Sequence, residues 1–306
     1  MARKVFIDGD VGTTGLQIRE RLEKRADISL IRIDPALRKD NAARLAAFAE
    51  AEVAILCLPD AASKDIATAA AAAGLKTRLI DASTAFRVAP DWAYGFAELA
   101  QGQRDAIRSA ARVSNPGCWA TCAISALRPL VDAGVIAADA PIALSGVSGY
   151  SGGGKSMIEE FETGTVDGAF LYGTAQNQKH LPEIAAHARL ARQPLFVPAV
   201  GDYAQGMAMA VALQLPPGGA AAAEAALRAH YAGETFVSVV DAARHQPRVM
   251  PQVLNGTNRL ELSVQANPET GATTLVAVLD NLGKGSSGAA VQNLNLMLGL
   301  DEGAGL

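Results

Sequence analysis

A short apolar run, Val5-Phe6-Ile7-Asp8, stops at Gly9, and within a few residues Gly12 and Gly15 lead into Leu16, Ile18 and Leu22 set among Arg19, Glu20, Arg21 and Glu23. A strand that turns at once into a helix through glycines leaves few folds open. Glycine accepts positive φ and close backbone approach, and the first N–H groups of the helix point unpaired at whatever lies before them. The unit then repeats: residues 28–33 read as a second strand, 42–49 as a helix, and Val53-Ala54-Ile55-Leu56-Cys57-Leu58 as a continuous apolar strand ended by Pro59. An Ala-rich helix over 61–73 is closed by Gly74, and Arg78-Leu79-Ile80 reaches Asp81. Strands alternating with helices predict a parallel sheet covered on both faces, a Rossmann-type α/β domain over residues 1–115.

The turn Gly9-Asp10-Val11-Gly12-Thr13-Thr14-Gly15 spaces its glycines by three, unlike the commoner dinucleotide spacing, yet it meets the same need. Backbone N–H groups at a helix start favour a pyrophosphate. Gly9, Gly12, Thr13, Thr14 and Gly15 are therefore the candidate phosphate cradle. Asp34, at the end of the second strand, suits a ribose 2′-hydroxyl and favours NAD, whereas Arg38 and Lys39 just beyond it suit a 2′-phosphate and favour NADP. Residue chemistry leaves both cofactors open.

With 27 Lys+Arg against 31 Asp+Glu, the net charge of −4 supplies no general basic field for nucleic acid or anionic lipid, so small molecules are the expected partners. No uncharged run reaches the length of a membrane helix, and the N-terminal residues do not read as a secretory signal. Three irregularly spaced cysteines argue against a disulfide framework and for a reducing cytoplasm.

Asn115-Pro116-Gly117 is turn chemistry, and Cys118 opens an apolar helical run to Val131. A helix N-terminus favours thiolate over thiol, which makes Cys118 the candidate nucleophile. Cys57, inside an apolar strand, and Cys122, one turn past Cys118, read as packed hydrophobes. A metal pair at Cys118 and Cys122 finds no His or Cys cluster to complete four ligands, so no metal is expected. Of the four histidines, His180 precedes Leu181-Pro182-Glu183, where the proline suits a first helical turn and would leave the imidazole at a helix entrance on the polar side of the fold.

The string Gly149-Tyr150-Ser151-Gly152-Gly153-Gly154-Lys155-Ser156 satisfies the P-loop spacing, but it lies mid-chain after a separate nucleotide-binding unit. It reads as a flexible loop whose N–H groups and Lys155 would hold a phosphate or carboxylate. Residues 195–200, 207–215, 236–240, 260–264 and 274–279 read as strands, with Asn267-Pro268-Glu269-Thr270-Gly271 as a hairpin turn between the last two. Helices are expected over 220–231 and 184–191, giving an α+β second domain of antiparallel character over residues 116–284. A last helix, over 288–298, has Val291, Leu294 and Leu298 at helical spacing.

Taken together, these motifs resemble the N-acetyl-γ-glutamyl-phosphate reductases of arginine biosynthesis in their shorter bacterial form. The resemblance rests on the first glycine turn, Asp81-Ala82-Ser83-Thr84-Ala85-Phe86-Arg87, Asn115-Pro116-Gly117-Cys118, the 149–155 stretch, Lys179-His180-Leu181-Pro182-Glu183, Asn255-Gly256-Thr257-Asn258-Arg259-Leu260 and Asp280-Asn281-Leu282-Gly283-Lys284-Gly285. It implies a semialdehyde-dehydrogenase type of second domain, with residues 285–306 returning to the first. It implies NADPH as cofactor, an acyl phosphate as substrate, and a homodimer or homotetramer. By the same resemblance Cys118 is the nucleophile and His180 the acid/base, Ser83 and Asn281 join the cofactor site, and Arg87, Ser151 and Lys155 bind substrate. Trp119 stands where the family usually carries Tyr. Two other readings stay in view, a related acyl-phosphate reductase such as an aspartate-semialdehyde dehydrogenase or a carrier-protein-linked variant, and a non-enzymatic NADP(H)-binding sensor.

Overall fold

The computed structural model describes residues 2–306, which form two compact units. One holds the chain up to residue 97 with 101–116 and 286–306; the other holds 98–100 and 117–285.

In the first unit the chain runs β1 (Arg3–Asp8), α1 (Thr13–Leu22), β2 (Ile28–Ile31), α2 (Asn41–Glu50), β3 (Val53–Leu56), α3 (Asp60–Ala72), β4 (Arg78–Asp81), β5 (Ala93–Tyr94), α4 (Gln103–Ser109) and β6 (Arg112–Ser114). The six strands are all parallel, in the order β2-β1-β3-β4-β6-β5. Parallel pairing needs a crossover between strands, and the crossing helices cover both faces, which is why all four residues of β3 are buried. Alternate residues divide between two cores. Val5, Ile7, Val53 and Ile55 pack with Ile18 and Leu22, while Phe6, Ala54 and Leu56 pack with Phe48 and Ile66. The C-terminal helix, Gly288–Leu298, is buried at every residue and closes the first of these cores with Val291, Leu294 and Leu298.

The second unit runs α5 (Cys118–Asp132), β7 (Ala143–Gly149), α6 (Gly154–Glu162), β8 (Phe170–Leu171), α7 (Leu181–His187), β9 (Leu195–Gly201), β10 (Met207–Gln214), α8 (Gly219–His230), β11 (Val237–Val239), β12 (Leu260–Ala266) and β13 (Ala272–Leu279). Its seven strands follow the order β11-β12-β13-β10-β7-β9-β8. The β12–β13 hairpin forms as the turn chemistry predicts. The expected antiparallel sheet is instead mixed: β7 pairs with β9, and β11 with β12, in parallel. The cause lies in connections too long for hairpins, since 45 residues separate the end of β7 from the start of β9 and carry α6 and α7. Helix α5 packs on β10, β12 and β13, and α7 and α8 pack against α5. On the other face the register aligns Val197, Ser145 and Ala210 across three strands, a row of small residues that is partly or fully open to solvent.

Two other expectations are corrected here. Residues 150–156 are no flexible loop: Tyr150–Gly153 forms a 3₁₀ turn and α6 begins at Gly154. The Tyr150 and Ser151 N–H groups donate to the carbonyls of Tyr203 and Ala204, which anchors the start of the turn. Cys57 lies just past β3 rather than within it.

Candidate active site

The first unit carries a cavity of about 700 Å³ at the C-terminal end of β1 and β2, lined by residues 6–11, 30–35, Arg19, Arg38, Lys39 and Leu58. Gly9 has φ +92°, and a Cβ there would run into the Cys57 carbonyl; one at Gly15 would run into the Gly9 carbonyl. Both glycines are thus demanded by backbone packing, and α1 begins at Thr13 with Gly12 as its N-cap. Of the expected cradle, Gly9 lines the cavity together with Asp10 and Val11, while the Thr14 hydroxyl is 3.0 Å from that of Ser286. Asp34 caps the 3₁₀ turn Pro35–Leu37 by accepting from the Ala36 N–H at 2.9 Å. Arg19 pairs with Asp10, and Arg32 with Glu23. Arg38 and Lys39 have no ion-pair partner among the described residues, so they are the cavity's uncommitted cations. The lining thus sets these two cations, Arg38 and Lys39, in one cavity with Gly9, Asp10 and Asp34. Beneath the cavity, Asp8 accepts two hydrogen bonds from Arg44, at 2.9 and 2.6 Å, yet its burial outweighs that pull and raises its pKa.

Ser83 and Arg87 belong to this unit too. The Ser83 hydroxyl donates to Asp81 at 2.7 Å, and the Arg87 Nε donates to the Asn115 carbonyl at 3.1 Å. Cys57, with Asp81, Asp8 and Asp10 as negative neighbours, has its thiol pushed far up by burial, which leaves it inert as a nucleophile.

In the second unit Cys118 is the first residue of α5, and Gly117 is its extended N-cap with no side-chain cap. The positive end of the α5 dipole therefore lies at the sulfur. Every residue from Trp119 to Leu130 is buried, so the packing of the helix fixes the position of the cysteine. Cys122 is fully buried and its thiol is raised, first by burial and then by the Cys118 charge. Gly285 lies against Cys118: a Cβ on it would come within 2.7 Å of the Cys118 Cβ.

His180 is the N-cap of α7, with Pro182 in the first turn as expected. It does not, however, face the polar side of the fold, because its side chain is only 9% exposed. What holds it there is Glu183, whose role the sequence did not disclose. One Glu183 carboxylate oxygen accepts from the Gly117 N–H at 2.9 Å, and the other lies 3.4 Å from His180 Nδ1. The same carboxylate thus grips the peptide that precedes Cys118 and the ring of His180. A sequence signal existed in the one-turn spacing of His180 and Glu183, which places both on one helix face.

Trp119 fits where its neighbours give room: it meets Phe196 edge-on and approaches Gly146, whose added Cβ would lie 2.7 Å from the indole. Its Nε1 donates to the Tyr172 hydroxyl at 2.8 Å. Burial, and after it the negative charge at Cys118, pushes the Tyr172 phenol up to about 12, so it remains a neutral phenol that accepts from the indole. Asn281 joins Ser151 as a clip, its amide donating to the Ser151 hydroxyl at 3.0 Å and accepting from the Gly206 N–H at 2.7 Å. Lys155 is exposed in the first turn of α6. Among the described residues no group of three His, Cys, Asp or Glu side chains is placed to hold a metal ion, and no helix is long and apolar enough to cross a membrane.

Comparison with known proteins agrees with this layout. Residues 14–110 match the semialdehyde dehydrogenase NAD binding domain, and residues 118–281 the semialdehyde dehydrogenase dimerisation domain. The chain is 49% identical to the N-acetyl-gamma-glutamyl-phosphate reductase of Chelativorans sp. (strain BNC1), over 97% of this chain and 99% of that protein. It is 48% identical to the protein of the same name from Brucella ovis, over 98% and 100% of the two chains. Among solved structures, aspartate semialdehyde dehydrogenase II of Vibrio cholerae, complexed with ASA, superposes with a TM-score of 0.72 at 16% identity, covering 97% of this chain and 98% of that one. The aspartate semialdehyde dehydrogenase of Francisella tularensis gives 0.74 at 14%, covering 97% and 100%. These two likenesses speak for the fold.

Proposed function

Since the chain belongs to the family of N-acetyl-gamma-glutamyl-phosphate reductases, we propose that it performs their reaction through Cys118 and His180, with Glu183 as the residue that orients them. The enzyme reduces N-acetyl-γ-glutamyl phosphate to the semialdehyde with NADPH, a step of arginine biosynthesis. The observation that carries the assignment of residues is the divided carboxylate of Glu183, bonded on one side to the backbone before Cys118 and on the other to His180.

The chemistry follows from the atoms in place. The Cys118 thiolate attacks the acyl-phosphate carbonyl; the C–S bond forms, the C–O bond to phosphorus breaks, and phosphate leaves with the electron pair. Bound NADPH supplies the hydride that reduces the resulting thioester. The α5 N-terminus stabilises the negative charge that develops on the carbonyl oxygen, and the C–S bond then breaks to release the aldehyde and restore the thiolate. Glu183 beside Nδ1 sets the tautomer of His180 and assigns proton exchange to Nε2, which takes the thiol proton before attack. In this reading Arg38 and Lys39 hold the cofactor's extra phosphate, and the substrate residues are Arg87 in the first unit and Ser151, held by Asn281, and Lys155 in the second.

A homodimer is the working assembly in this reading. The match to a dimerisation domain and the open row of Val197, Ser145 and Ala210 support it, with that sheet face as the contact. The three free cysteines support a reducing cytoplasm as its setting.

The test is NADPH oxidation with N-acetyl-γ-glutamyl phosphate and with β-aspartyl phosphate in parallel. The first should have the larger kcat/KM by on the order of 10²-fold or more, since a site built for an N-acyl group leaves polar partners unpaired without it. The reverse ranking would assign the chain to aspartate-semialdehyde chemistry. For the cofactor, replacing Arg38 and Lys39 by Ala should raise the NADPH KM by about 10- to 100-fold and leave that for NADH nearly unchanged, because only NADPH carries the extra charge. Equal effects on both cofactors would remove the pair as the discriminator.

A further inference from the structure

We propose that the buried ion pair between Lys284 and Glu98 is a positioning device for Cys118, setting the turn on which the nucleophile's own Cα and Cβ rest. The Lys284 ammonium donates to both Glu98 carboxylate oxygens at 2.8 Å, and the two side chains are 1% and 0% exposed. Lys284 belongs to a π-helical turn, Gly283–Ser287, and the next residue, Gly285, packs its backbone onto Cys118. There is no side chain between them to absorb a shift. The Gly285 N–H is held by the Asp280 carbonyl at 3.0 Å, and a Cβ at 283 would strike the Thr257 carbonyl. The turn is therefore fixed by backbone on one side and by the Lys284 side chain on the other.

Glu98 is an unusual partner. Residues 98–100 belong to the second unit, although the chain on either side of them belongs to the first. His230 Nε2 lies 3.2 Å from the Glu98 carbonyl, and the Lys284 ammonium sits 5.5 Å from the centre of the Phe236 ring. Two charges taken out of water are a poor way to gain stability, because an apolar pair of equal volume often does as well. They are a good way to specify one arrangement, since ammonium and carboxylate meet in few geometries while methylene groups slide. Selection for geometry at a point one residue from the nucleophile's support is the reading that accounts for such a pair here.

This rests on Cys118 being the nucleophile, and the experiment separates the two ideas. The double variant Glu98→Met with Lys284→Met leaves no unpaired charge and should retain the fold and the NADPH KM. Its kcat should fall by roughly 100-fold, the scale expected when a reacting group is displaced by about 1 Å. Its profile of Cys118 alkylation by iodoacetamide against pH should move away from that of the parent. A kcat within threefold of the parent together with an unmoved alkylation profile would overturn the proposal, whatever the melting temperature. Should the double variant not fold, Lys284→Arg decides by the same two readouts, because it keeps the charge and alters the reach. Turnover that survives Cys118→Ser would instead strike the nucleophile assignment itself.

Discussion

Cys118→Ser is expected to lose turnover by roughly 10³-fold or more while NADPH binding, measured by fluorescence titration, stays at the parental level. A serine hydroxyl in the same place has no anionic form near neutral pH, and the α5 N-terminus cannot bring one within reach. The cofactor cavity lies wholly in the first unit, so the exchange of one atom at Cys118 leaves its lining untouched. Cys57→Ser and Cys122→Ser are the controls, for both thiols are held in the protonated form by burial. Turnover within tenfold of the parent would remove Cys118 from the reaction.

His180→Asn is the second large effect, a loss of about 10²- to 10⁴-fold in kcat with little change in cofactor affinity. The pH dependence should lose the ionisation that the imidazole contributes, and alkylation of Cys118 should need a higher pH, because the proposed reaction gives the thiol proton to His180. Glu183→Gln refines the test. The amide oxygen still accepts from the Gly117 N–H, so the turn before Cys118 survives, but the negative charge beside His180 Nδ1 is lost. The limb of the pH profile that belongs to His180 should then move to lower pH, since an imidazolium without its carboxylate gives up a proton more readily. His187→Asn, at the far end of α7, should do neither. An unchanged alkylation profile with undiminished turnover in His180→Asn would return that residue to a structural role.

Local signals carried most of what was legible in the sequence. The glycine turn, the alternating apolar strands and the Asn-Pro-Gly break before Cys118 each act within a few residues, and each formed the element it announced. What depends on distant partners was not legible. Glu183 reaches Gly117 across 66 residues, and Asn281 reaches Ser151 across 130, so neither contact leaves a trace in spacing. The three consecutive glycines at 152–154 read as freedom, but they lie within a 3₁₀ turn and the start of α6, and Tyr150 and Ser151 just before them bond to the 203–204 segment. His180 read as lying at a helix entrance on the polar side because Pro182 marks a first helical turn; the Glu183 carboxylate that draws its ring inward could be seen only once the fold had brought Gly117 beside it. The parallel β7–β9 pair escaped because strand partners across a long connection follow from the fold and not from alternation.

The place of the C-terminal helix carries a consequence for how the chain matures during synthesis. Val291, Leu294 and Leu298 fill the same core as Val5, Ile18 and Val53, so the strands made first lack part of their apolar cover until the last residues exist. The core is closed only by residues up to Leu298, so the 182 residues from 117 to 298, made at about 5–20 per second, leave it open for on the order of 10 to 40 s. Residues 117–285, by contrast, emerge as one nearly unbroken stretch that holds its own seven-stranded sheet and α5. The second unit thus draws its core from one stretch of chain, whereas the N-terminal sheet waits for helix 288–298 and is the nascent species most in need of chaperone protection.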